Sequence, residues 1–134
     1  MKVFANTDVG LVRQLNEDDY CIAHNANDEW MAIVCDGIGG AKAGEVASHT
    51  AVMTMYEAFM KSPVFEKDRQ VDNWIRENLN QANDFIYSKS LKNFNERGMG
   101  TTAVGVIKAH IGTFIFNVGD SRIYADYNNE LIQM

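Results

Sequence analysis

The sequence predicts an α+β layered fold, and three observations carry that expectation. Strand-like segments fill the first third, two long amphipathic helices fill the middle, and strand-like segments return in the last third. In the first third, residues 2–9 are short and mixed, and Tyr20–His24 is a brief apolar run. Trp30–Cys35 (WMAIVC) is nearly continuous in apolar character, as expected of a strand covered on both faces. It leads into Asp36-Gly37-Ile38-Gly39-Gly40, whose three glycines in five residues predict a sharp loop at a strand end. From Glu45 to Lys61, Ala47, Ala51, Met55, Ala58 and Phe59 recur at helical spacing, and Ser62-Pro63 ends that helix. A second helix over about Asp68 to Lys92 places Val71, Trp74, Ile75, Leu79, Ala82, Phe85 and Ile86 on one stripe, read as core. Arg69, Asp72, Arg76, Glu77 and Lys89 fall on its other face. Thr101–Ala109, Thr113–Val118 and Arg122–Tyr127 read as strands. Asn128-Asn129 predicts a hairpin turn, and Glu130–Met134 begins a further strand.

The 134 residues suit one domain, residues 1–134, with no repeat, low-complexity run or linker. The chain is 46% hydrophobic and 22% charged, which excludes disorder and collagen-like repeats. Twelve Lys and Arg against eighteen Asp and Glu give a net charge of −6, which argues against broad electrostatic binding of nucleic acid. The same balance leaves room for divalent cations. Cys21 and Cys35 stand in apolar contexts without zinc spacing and read as buried free thiols. No stretch approaches the roughly 20 apolar residues of a membrane helix, and MKVFANTDVG holds no apolar run long enough for a signal peptide. A cytoplasmic location is the expectation.

Acidic residues gather near predicted loops: Asp8, Glu17-Asp18-Asp19, Asp36 and Asp120. Carboxylates at strand ends beside glycine suit magnesium or manganese, which take oxygen ligands, often one or two carboxylates plus waters. Asp36 is the leading single candidate, although Asp-Gly pairs also shape turns, and spacing alone leaves both readings open. Arg13, four residues before Glu17, either pairs with the acidic cluster or presents its planar fork to a phosphate. His24, His49 and His110 show no ligand spacing and no pairing with a nucleophile. Metal-activated water is thereby favoured over a covalent nucleophile.

Four segments taken together resemble the type 2C protein phosphatases, the metal-dependent serine/threonine phosphatases, in their bacterial form. They are Thr7–Tyr20 (TDVGLVRQLNEDDY), Val34–Ser48 (VCDGIGGAKAGEVAS), Gly98–Ile107 (GMGTTAVGVI) and Asn117–Leu131 (NVGDSRIYADYNNEL). The resemblance implies a four-layer α-β-β-α sandwich of two antiparallel sheets flanked by helices, with a metal site at one end. It assigns Arg13 to the substrate phosphate and Glu17 and Asp18 to the acidic pair of the first motif, one or the other of which contacts a second metal. Asp36 takes the place of the aspartate bridging two metals, Gly37 lends a carbonyl oxygen, and Asp120 goes with an additional, weaker metal. Gly98, Gly100, Thr101 and Thr102 correspond to a segment expected to pack the strand and not to catalyse.

The implied chemistry is hydrolysis of phosphoserine or phosphothreonine on proteins by water activated between two Mn2+ or Mg2+ ions, without a phosphoenzyme. Substrates would be phosphoproteins made by a bacterial Ser/Thr kinase, with no nucleic acid or membrane partner, and the full-length protein would be a monomer. Eukaryotic members place a histidine after the Asp-Gly pair where this chain has Ile38, so the proton for the leaving group must come from elsewhere. The family also carries later Asp-Gly and Asp-Asn motifs and a mobile flap, which have no counterpart after Asp120. The expectation is therefore an N-terminal portion of such an enzyme, weakly active or inactive alone. The competing reading is a catalytically dead module that binds metal or phosphoprotein. A sporulation-type or stress-response phosphatase of the same superfamily would differ mainly in its partner.

Overall fold

Period-two burial along neighbouring extended segments builds the main sheet. A computed structural model describes residues 1–134, leaving aside the side chain at position 41. Strand β1 (Asp18–His24) pairs antiparallel with β2 (Trp30–Ile38), in a register that sets Asp18 opposite Asp36 and His24 opposite Trp30. On its other side β2 pairs with β3 (Gly100–Thr101) and β4 (Ala103–Ala109), and β4 pairs with β5 (Gly112–Val118). The result is a five-stranded antiparallel sheet in the order β1-β2-β4-β5, with β3 alongside β2. In β2, Met31, Ile33 and Cys35 are buried while Val34, Asp36 and Ile38 are exposed, so odd positions face the core.

Helix α1 (Ala41–Met60) lies across β1, β2 and β3, and α2 (Asp68–Lys92) packs against α1. Ala47, Ala51, Met55 and Phe59 of α1 are at most 2% exposed and meet the odd face of the sheet. Phe59 and Phe65 both present edges to Trp74 of α2, with ring centroids 5.8 and 5.9 Å away, the quadrupole-favoured geometry. Glu29, fully buried beside this core, accepts the N–H of Phe65 (3.3 Å) and of His110 (3.1 Å), so its carboxylate ties the helix connection to the β4–β5 turn. Strands β6 (Tyr124–Tyr127) and β7 (Glu130–Gln133) form a second, two-stranded antiparallel sheet. Their turn residues Asn128 and Asn129 have φ of 53° and 64°, the left-handed pair that a two-residue hairpin of the primed type requires.

The α+β class and the two antiparallel sheets are as expected. Four local readings need correction. Residues 2–9 carry no strand; the first begins at Asp18. Asp36, Gly37 and Ile38 do not form a loop but continue β2, because Gly37 and Ile38 find a backbone partner in Thr101 and Gly100. The turn is confined to Gly39 and Gly40, with φ of 137° and 67°, and α1 starts at Ala41, four residues before the expected Glu45. Phe85, expected on the core stripe of α2, is 46% exposed; Val71, Ile75, Ala82 and Ile86 form a narrower buried stripe.

Candidate metal and phosphate site

Because β1 and β2 are antiparallel and in register, Asp18 and Asp36 stand directly opposite one another, on the sheet face turned away from the helices. Burial, then a side-chain hydrogen bond to Asp36 and the charge of Asp36, raise the Asp18 carboxyl above the usual carboxylate range, and Arg13 opposes this only in part. Two carboxyl groups held this close repel once both are ionised, and a cation between them removes that cost.

Glu17 reaches the same region from the helix side. It is 8% exposed; its Oε2 accepts from the Arg13 guanidinium at 3.2 Å, while its Oε1 is buried with no hydrogen-bond partner. Its backbone carbonyl accepts from Gly37 N–H (3.1 Å) and from the Ser48 hydroxyl (2.6 Å). A Cβ on Gly44 would come within 2.5 Å of Glu17 Oε1, and one on Gly37 would run into the Gly44 carbonyl. These glycines therefore let α1 approach β2 closely and leave space for the carboxylate; the glycine of the Asp36-Gly37 pair serves close packing, not a turn.

Arg13 is 70% exposed and overhangs a cleft of about 460 Å3 lined also by Glu17, Asp36, Gly37–Gly40 and Asp120. Asp8 and Asp18 line the adjoining cleft with Arg13, Glu17 and Asp36, and Asp8 Oδ1 accepts Gly10 N–H at 2.8 Å. The fold thus brings Arg13, Glu17, Asp18, Asp36, Gly37 and Asp120 to one end of the sheet, although Asp120 is about a hundred residues from the first three in sequence. Asp19 points to the helix side, where its Oδ2 meets His49 Nδ1 at 2.8 Å. His24 stacks on Trp30 (4.0 Å between centroids) and meets Asp28 at 2.6 Å, and His110 meets the Asn27 carbonyl; all three histidines lie outside the cleft. The thiols are free, with burial pushing Cys21 up to about 11 and Cys35 up to about 12, so neither is a nucleophile near neutral pH.

The donors fit a hard divalent cation, being carboxylate oxygens with one buried oxygen unsatisfied. Among the described residues, no three carboxylate, imidazole or thiol groups are grouped closely enough to hold an ion by themselves. Two features lay beyond the reach of the sequence reading. Thr102, taken as a packing residue, receives the Asp36 N–H on its hydroxyl, and Ser48 clamps the Glu17 carbonyl. Both fall in the family-like segments, but neither forms part of a charge pattern, so nothing in the sequence marked their contacts with Asp36 and Glu17.

The family model described as Protein phosphatase 2C matches residues 10–134, and the chain belongs to that family. It is 36% identical over 128 residues to the serine/threonine phosphatase stp of Listeria welshimeri, covering 96% of this chain and 51% of that protein. Among solved structures, serine/threonine phosphatase Stp1 from Staphylococcus aureus superposes with a TM-score of 0.87 at 36% identity, over 96% of this chain and 50% of that one. The catalytic domain of the serine/threonine protein phosphatase PstP, in complex with two manganese ions, superposes with a TM-score of 0.78 at 29% identity, over 96% and 52%. The chain spans about half the length of the curated relatives it matches.

Proposed function

We propose that this chain supplies the phosphate-binding and metal-bridging part of a metal-dependent protein serine/threonine phosphatase. The observation that carries the reading is the register of β1 on β2, which opposes Asp18 to Asp36 where two adjoining clefts share Arg13, Glu17 and Asp36, one of them also lined by Asp120. Asp36, Asp18 and the Gly37 carbonyl would hold the central pair of Mn2+ or Mg2+ ions, with Glu17 behind them and Asp120 near an additional, weaker ion. When bound, such ions lower the pKa of a coordinated water and offset charge on the phosphoryl oxygens.

The residues of the chain do the rest. Arg13 can pivot from Glu17 Oε2 to a phosphoryl group, because its exposed, planar guanidinium suits two phosphate oxygens. Glu17 then keeps a negative charge behind the arginine and restrains its approach. Asp36 is held at its backbone by Thr101 and Thr102, so the carboxylate needs little reorganisation when a cation arrives. Ile38, 59% exposed at the rim, offers no proton, so the leaving alkoxide of phosphoserine or phosphothreonine takes one from water or from a group outside residues 1–134. Phosphoproteins generated by a bacterial Ser/Thr kinase in the cytoplasm are the substrates this reading implies, with the full-length enzyme a monomer and residues 1–134 part of one catalytic domain. The sparse donor set among the described residues supports weak activity for residues 1–134 alone.

The test is Mn2+-dependent hydrolysis of an aryl phosphate and of a phosphothreonine peptide by the full-length protein. Asp36→Ala is expected to abolish turnover, and Arg13→Ala to raise KM more than it lowers kcat. Full activity in Asp36→Ala would overturn the proposal. Phosphopeptide binding without turnover in the unaltered protein would transfer the assignment to a binding module.

A further inference from the structure

The ladder between β2 and the Gly100–Ala109 segment is interrupted at one place, and that place is Asp36. In an antiparallel sheet a hydrogen-bonded pair exchanges two N–H···O=C bonds. Thr102 N–H does donate to the Asp36 carbonyl, at 2.9 Å. The reciprocal bond is not made to a carbonyl. Asp36 N–H donates to the Thr102 hydroxyl at 3.0 Å, while the Thr102 carbonyl accepts the Thr101 hydroxyl at 2.8 Å. Pairing is regular on either side, with Val34 opposite Val104 and Gly37 opposite Thr101. The substitution is therefore local to the residue that points its carboxylate into the cleft.

The Thr102 hydroxyl has a second partner. It lies 2.6 Å from the Ser121 hydroxyl, and Ser121 follows Asp120 in the loop between β5 and β6. Asn117 Nδ2 donates to the Ser121 carbonyl at 2.9 Å, which holds that loop to the end of β5. Thr102 is 3% exposed, so water does not readily replace either bond. The geometry points to Thr102 as a positioning residue, whose hydroxyl stands in for a strand carbonyl at Asp36 and fixes the spacing between the Asp36 and Asp120 carboxylates through Ser121. Outer partners of this kind commonly change metal affinity by about 10- to 100-fold when removed. The inference rests on the proposed metal site only in its consequence for affinity; the hydrogen-bond arrangement stands independently of it.

Two substitutions separate positioning from packing. Thr102→Val keeps the shape and deletes the hydroxyl, whereas Thr102→Ser keeps the hydroxyl and deletes the methyl. Mn2+ titration calorimetry on the full-length protein should show at least a tenfold loss of affinity in Thr102→Val and recovery to within about threefold of the unaltered protein in Thr102→Ser. Hydrogen exchange at the Asp36 amide, measured without metal, should accelerate at least tenfold in Thr102→Val and stay near the unaltered rate in Thr102→Ser. A packing role predicts the reverse order, with Ser worse than Val, and that order would overturn the inference. Ser121→Ala, at a partly exposed loop position that should not impair folding, is expected to weaken Mn2+ binding about threefold or more; an unchanged affinity there would refute the link to the Asp120 loop. If the unaltered protein binds no Mn2+, the proposed function fails, while exchange at the Asp36 amide still decides the role of Thr102.

Discussion

Asp36 and its neighbours show how little freedom single positions have at this end of the sheet. Gly37 packs so closely on Gly44 that any Cβ meets backbone, which cannot move aside as a side chain does. Gly37→Ala should therefore cost about 3 kcal/mol, the upper end of ordinary overpacking, in urea unfolding of the metal-free protein. Asp18 makes the opposite case. Its carboxyl is raised in the folded state by burial and by Asp36, so its contribution to stability is greatest below its unfolded value near pH 4 and is lost as pH rises through the folded value. Asp18→Asn should accordingly stabilise the metal-free protein at pH 7 by up to about 1 kcal/mol, with the gain gone near pH 3 and Mn2+ affinity reduced. Equal unfolding midpoints at pH 7 would show that the two carboxylates do not repel there. Arg13, Glu17, Asp18, Asp36 and Asp120 were legible as candidates because carboxylates beside glycines and an arginine form a pattern along the chain. Thr102 and Ser48 were not, since a hydroxyl's role depends on a partner many residues away.

Among the elements, α2 was the most legible: its apolar period runs over 25 residues, Gln70 reaches back to the Lys67 N–H at 2.9 Å, and lysines fill its last turn. Phe85 escaped that reading because α2 buries itself mainly against α1, a narrower contact than a whole sheet would offer. The Asn128-Asn129 turn was equally plain, since few residues other than asparagine and glycine accept two successive positive φ values. The extension of β2 through Ile38 was hidden because its partner, β3, lies about sixty residues further along and has only two residues. The helix–sheet contact holds α1 over β1, β2 and β3. Phe59 is fully buried where α1 meets Trp74, and Asn25 Nδ2 donates to its carbonyl at 3.2 Å. Phe59→Ala should cost about 3–5 kcal/mol by thermal or urea unfolding. A loss below about 1 kcal/mol would mean that the core closes over the cavity or is not packed as described.

At the scale of the molecule, one face of the main sheet is covered by α1 while the other carries Tyr20, Val34 and Ile115 at 37%, 49% and 41% exposure. The two faces meet different chemistry at their shared end, where the carboxylate cleft opens. With a net charge of −6, repulsion among acidic groups opposes the compact state and favours cation uptake. Binding to the folded state alone adds about 2.7 kcal/mol at a hundredfold excess of Mn2+ over its Kd. The melting temperature of the full-length protein should therefore rise by several degrees with Mn2+, and Asp36→Ala should remove most of that rise. A rise of equal size in Asp36→Ala would place the ion elsewhere.

Local pattern along the chain was enough to establish the α+β class, the second helix and the Asn128-Asn129 hairpin, and to nominate candidate residues for metal and phosphate. These depend on periodicity, turn chemistry and residue type, which are properties of short stretches. Folding added the opposition of Asp18 to Asp36, the meeting of Asp120 with residues of the first two strands, and the hydroxyl that replaces a carbonyl in the ladder. Each of these is a contact between segments far apart in sequence, and its geometry comes from strand register and from how closely α1 can approach β2.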